Sequence, residues 1–145
     1  MPAAHFRFTD EWVCPGTPER VAQILVDLAS YPDWWPQVLA VARLSDDSAR
    51  LLCRASLPYT LDLTLTAVRR QPPLEVRMDG DLTGWVRIDL VPHAHGTTLT
   101  WSQEATVTTW RAVPAAALRT LLTWNHARMI GGLRAGLERQ VRRPA

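Results

Sequence analysis

At 145 residues, with 47% apolar and 21% charged side chains, the chain has the length of a single domain, 1–145, able to bury about two thirds of its unfolded surface. All 16 basic residues are arginine, which excludes lysine Schiff-base chemistry and pyridoxal phosphate linkage, and their scatter around a net charge of +2 argues against nucleic acid as a partner. No run approaches the roughly 18 apolar residues of a membrane span, and Met1 to Thr9 has no apolar signal core, so a cytoplasmic protein without integral membrane association is expected.

Taken in chain order, Phe6, Phe8, Trp12 and Cys14 alternate with His5, Arg7, Thr9 and Glu11, the mark of a half-buried strand. Asp10 interrupts its apolar side, a sign of a buried partner. Pro15-Gly16-Thr17 ends the strand, and Thr17 followed by Pro18 predicts a helix that carries Val21, Ile24, Leu25 and Leu28 on one face. Ser30-Tyr31-Pro32-Asp33-Trp34-Trp35-Pro36 then confines the chain to a turn or a very short second helix capped by Ser30. One of its tryptophans wedges the helices against a sheet; the other, Trp35, is a candidate for the mouth of a pocket.

From Val38 onward the pattern is of strands alone: Val38 to Leu44, Ala49 to Leu57, Tyr59 to Val68, Leu74 to Met78, Leu82 to Leu90 and Leu99 to Val107. Turns fall at Ser45-Asp46-Asp47-Ser48, Pro72-Pro73, Asp79-Gly80-Asp81 and a loop with His93, His95 and Gly96. Tyr59 shares the parity of Leu61, Leu63 and Leu65, and Trp101 and Gln103 share that of Leu99 and Ala105, so all three are expected to point inward. Glu104 falls on the opposite, threonine-rich face. The chain closes with Ala115 to Arg142, a long amphipathic helix whose stripe holds Leu118, Leu121, Leu122, Asn125, Met129, Leu133, Gly136 and Gln140. Six to seven strands between short helices and a long closing one specify an α+β fold built on an antiparallel sheet.

The motifs Glu11-Trp12-Val13, Pro18-Glu19-Arg20-Val21, Tyr31-Pro32-Asp33-Trp34-Trp35-Pro36, Leu57-Pro58-Tyr59, Gly80-Asp81-Leu82-Thr83-Gly84, Gly96-Thr97 and Trp124-Asn125-His126 occur in order along nearly the whole chain. Together they resemble the bacterial polyketide cyclase/dehydrase and lipid-transport family, in the helix-grip superfamily of the birch-pollen allergen and the START domains. The resemblance implies a curved sheet wrapped around the last helix, with two short helices after the first strand and an apolar cavity between sheet and helix. After Asn125-His126 that family is expected to carry an acidic and then an aromatic residue, where this chain has Ala127-Arg128.

The candidate ligand contacts are Asn125, Tyr59, Trp101, Gln103, Met129, Leu122, Trp35, Arg54 and His126. Asn125 sits mid-stripe, where its amide needs a protein partner, a buried water or a bound molecule. His126 lies at the edge of the stripe, as a half-exposed residue or as a second contact. Arg54, Arg77 and Arg87 are surface charges or, if inward, partners for an acidic ligand. His93 and His95 form a His-x-His pair without further ligands at metal spacing, so they read as turn residues and no metal or cofactor is implied. Cys14 and Cys53 read as reduced, partly buried thiols.

The expected partner is a small hydrophobic molecule of lipid, isoprenoid or polyketide-like character. The alternatives are a cyclase or dehydratase, with no catalytic residue assigned, and an interaction protein whose pocket is filled by some of its seven tryptophans. Both monomer and homodimer are compatible with the sequence.

Overall fold

The computed structural model describes residues 4–54, 60–107 and 114–143. Strand β1 (Ala4–Cys14) leads into α1 (Pro18–Val26), a 3-10 turn (Leu28–Ser30) and α2 (Tyr31–Trp34). Then come β2 (Val38–Arg43), β3 (Ser48–Arg54), β4 (Thr60–Arg69), β5 (Leu74–Gly80), β6 (Leu82–His93) and β7 (Gly96–Val107), and the chain closes with α3 (Ala115–Arg142). The seven strands form one antiparallel sheet in the order β1-β7-β6-β5-β4-β3-β2. Successive strands pair with one another from β2 to β7, and β1 joins at the far edge beside β7.

Two register shifts, at Val38/Ala40 and at Ala67/Arg69, interrupt the ladder at positions where bulges bend and twist a strand. A Cβ at Gly84 (φ +147°) would lie 2.0 Å from the carbonyl oxygen of Glu104, so the strand crossing there depends on glycine. The inward faces of β3, β4, β6 and β7 bury Leu51, Cys53, Leu61, Leu63, Val86, Ile88, Leu90 and Leu99. Leu118, Leu122, Leu133 and Leu137 of α3 are buried as well, with Leu99, Leu133 and Leu137 fully enclosed. Truncating one of these three to alanine removes about 2–5 kcal/mol.

The expected elements are present, with local differences. Thr17 caps α1 through its hydroxyl, which accepts from Arg20 N–H at 3.2 Å. The helix ends at Val26 rather than reaching Leu28, and Ser30 makes no cap: its hydroxyl donates instead to Asp27 Oδ2 at 2.7 Å, serving the 3-10 turn. The Asp79-Gly80-Asp81 turn is narrower than its residues suggest. Gly80 still pairs with Leu63, while Asp81 Oδ2 accepts from Asp62 N–H at 2.8 Å, so β4 holds the end of β5 in the sheet. In α3 the buried stripe also includes Ile130 and Leu137. Glu104 lies on the outer face as expected, there accepting from Arg7 Nε at 3.1 Å and meeting His5 Nε2 at 3.0 Å.

Candidate functional site

Between the concave face of the sheet and α3 lies a cavity of about 520 Å³. Phe6 and Phe8 of β1, Leu51 and Cys53 of β3, Leu61, Leu63 and Leu65 of β4, Val76 and Met78 of β5, Val86 and Ile88 of β6 and Ala105 of β7 line it. Alternation along each strand gives these apolar side chains one common face. Trp35, Trp101 and Gln103 complete the wall, and Leu122, Asn125, His126, Met129 and Ile130 of α3 form the roof. Trp35 and Trp101 therefore frame the cavity and do not fill it.

Leu122, Asn125, His126, Met129, Trp35, Trp101 and Gln103 all line the cavity, Trp35 as a buried part of the wall rather than at the mouth where it was expected. Arg54 does not: on β3 the residues Leu51 and Cys53 point inward, which turns Arg54 to the exposed side. Arg77 and Arg87 are exposed too, where they approach Asp79 and Asp89. Tyr59 and the Leu57-Pro58-Tyr59 motif lie outside the described residues. His93 Nδ1 accepts from His95 N–H at 3.0 Å within a turn, and among the described residues no three potential metal ligands converge.

The polar groups of the wall are held from behind. Trp101 Nε1–H donates to Gln103 Oε1 at 3.0 Å, which turns the Gln103 amide nitrogen toward the soft sulfur of Met78 at 3.6 Å. Trp35 Nε1–H donates to the Met129 carbonyl at 3.0 Å, and its ring meets Trp101 edge-on at 6.3 Å. Asn125, 7% exposed, has a partner of its own within the chain.

Asp10, the residue that breaks the apolar side of β1, has His126 as its partner. His126 Nε2 lies 2.6 Å from Asp10 Oδ2, and the imidazole stacks on Phe8 with centroids 3.9 Å apart. A carboxylate accepts only, so Nε2 carries the proton and the lone pair of the ring resides on Nδ1. Burial pulls the His126 imidazole below its ordinary pKa and outweighs the opposing pull of Asp10, so the ring is neutral near pH 7.

The mouth is polar. It is lined by Asp27 beyond α1, by Arg43, Ser45, Asp46, Asp47 and Ser48 around the β2–β3 turn, and by Arg69 and Arg70 at the end of β4. Arg70 donates to the Asp46 carbonyl and, at 2.8 Å, to Asp47 Oδ1, joining the two turns across the opening. The acidic turn follows from the sequence, but only the sheet brings it to Arg69 and Arg70.

A curved antiparallel sheet gripping a long C-terminal helix over an apolar cavity is the helix-grip architecture. The chain belongs to the family described as polyketide cyclase/dehydrase and lipid transport, which it matches over residues 5–138. No curated protein matches the sequence significantly. Among solved structures, the protein TTHA0849 from Thermus thermophilus superposes with a TM-score of 0.75 at 20% identity, covering 94% of this chain and 97% of that one. A START superfamily protein from Mycobacterium smegmatis gives 0.66 at 16% identity, covering 95% and 99%. The Zhui aromatase/cyclase from Streptomyces sp. R1128 gives 0.67 at 16% identity, covering 97% of each chain. At these identities the likeness establishes the fold.

Proposed function

We propose that the protein binds and carries a small, largely apolar molecule of lipid, isoprenoid or polyketide-like character in the cavity beneath α3. The observation that carries this reading is the cavity itself: about 520 Å³, walled by aliphatic and aromatic side chains, with few polar groups in the interior and a polar mouth. That volume falls within the roughly 300–1,000 Å³ of small-molecule sites. The family description, which includes lipid transport, agrees with it.

The test is native mass spectrometry of protein purified under mild conditions, beside titration with an apolar fluorescent probe. A saturable site is expected, and Leu65→Trp, which places an indole inside the cavity, weakens the probe by about tenfold, near 1.4 kcal/mol. Protein that is only ever unliganded and shows no saturable probe binding rules this function out.

A second reading, an enzyme of the cyclase or dehydratase type, is supported by the other half of the family description and by an aromatase/cyclase among the structural neighbours. The observation that favours it is the Asp10–His126 pair, whose imidazole lines the cavity.

A further inference from the structure

The first and last strands lay a block of side chains beneath the middle of α3. In the β1–β7 register Phe8 is opposite Gln103 and Asp10 is opposite Trp101, and all four alternate onto the concave face. Phe8 stacks on His126, Asp10 bonds its Nε2, and Trp101 orients Gln103. One imidazole is thereby fixed in position, tautomer and plane by its carboxylate and its ring partner, within an apolar cavity. With Nε2 taken by Asp10, Nδ1 is the remaining acceptor of a ring that lines the cavity.

We propose that His126 is a general base for a carbon acid, an apolar carbonyl compound with an activated C–H bond, with Gln103 as hydrogen-bond donor and Asp10 as positioning residue. The inference rests on the cavity admitting an apolar molecule, as proposed above. His126 Nδ1 takes the proton from carbon, and the C–H electron pair moves toward the carbonyl to give an enolate. The Gln103 amide N–H, whose partner in the resting protein is the weak acceptor Met78 sulfur, donates to the enolate oxygen. The imidazolium, paired with Asp10, returns the same proton to a conjugated carbon, so a double bond shifts and no co-reactant is consumed. Asp10 is the charged group that bears on His126; β7 lines the cavity with the uncharged Trp101, Gln103 and Ala105, and the neighbours of His126 on α3 that line it, Leu122, Asn125, Met129 and Ile130, are uncharged too.

The experiment uses 5-nitrobenzisoxazole, an apolar carbon acid whose ring proton passes to the base while the C–H pair forms a nitrile and the N–O bond opens to a phenolate. The full-length protein is expected to give a saturable rate, lost by about a hundredfold or more in His126→Gln. Gln103→Leu lowers it by about tenfold or more. Asp10→Asn lowers the rate and moves the inflection of its pH profile to more acid values, because the carboxylate that raises the imidazole is gone; a merely structural Asp10 leaves the inflection in place. Thermal melts and displacement of the fluorescent probe are measured on every variant. If benzisoxazole displaces the probe from the wild type but is not turned over, or if a folded His126→Gln keeps the rate, the inference is overturned while the carrier reading stands. If neither compound binds the wild type, both are overturned.

Discussion

The carbonyl oxygen of Trp34 occupies the space in which a side chain at Gly136 would begin, 2.1 Å from the position of its Cβ. Gly132 meets Gln37 Oε1 in the same way, at 1.8 Å. Together these glycines let α3 approach α2 and the turn after it, and so let Trp35 reach the Met129 carbonyl. Gly136→Ala is expected to destabilise by about 1–3 kcal/mol, because backbone must move. Gly131→Ala, with nothing within 4 Å, gains up to about 1 kcal/mol from helix propensity. Urea melts of the two variants check this, and equal shifts would falsify the packing argument.

His126 gives the stability of the protein an acid-side slope. Its folded pKa lies below the ordinary 6.5, chiefly through burial, so between those two values the unfolded chain binds more protons than the native one. Stability is therefore lost as pH falls through 6.5 toward the folded value, and the loss is absent above it. Urea midpoints between pH 5 and 8 should fall more steeply for the wild type than for His126→Gln. Identical slopes mean that the native ring is not held neutral.

The two thiols set the opposite limit. Burial, with a smaller contribution from Glu138, pushes Cys14 up to about 11, and burial pushes Cys53 up to about 12, each from 9.0. A raised folded pKa contributes stability that is complete below pH 9 and disappears as pH rises through those values. At pH 8 an aromatic disulfide reagent should label the native protein about a hundredfold more slowly than the unfolded chain. Two equivalents should react after denaturation. Rapid labelling of the native protein would contradict their burial.

At the mouth, Arg70→Ala removes the link between the β4–β5 and β2–β3 turns. Arg70 and Asp47 are more than half exposed, so the stability change is expected to stay below about 1 kcal/mol. Stopped-flow association of the fluorescent probe should become faster, and added salt should speed the wild type more than the variant. A rate indifferent to both changes means that the link does not restrict access.

Sequence carried the architecture further than it carried the site. The bounds of α3 and the inward parity of Trp101 and Gln103 followed from period alone, since a stripe 28 residues long and strict alternation are hard to misread. The same alternation, read from Leu51 and Cys53, excludes Arg54, which its guanidinium chemistry had recommended. Asp10 announced a partner without naming it. His126 is 116 positions away, and its placement at the edge of the helical stripe becomes a contact only through the path of α3 over β1. The link from Arg70 to Asp47 was hidden for a similar reason: it joins two turns that only sheet curvature brings to one opening.

The strand order also bears on how the molecule assembles. From β2 to β7 each pairing joins consecutive strands, whereas β1 with β7 joins residues separated by most of the chain, Ala4 with Val107 at the extreme. Closing so long a loop costs entropy before any contact repays it, so this seam is the slow, late contact of folding. Phe8 and Asp10 lie on one side of the seam and Trp101 and Gln103 on the other. A nascent chain thus has its meander before this wall of the cavity is complete, and refolding should restore strand signal sooner than saturable binding of the fluorescent probe.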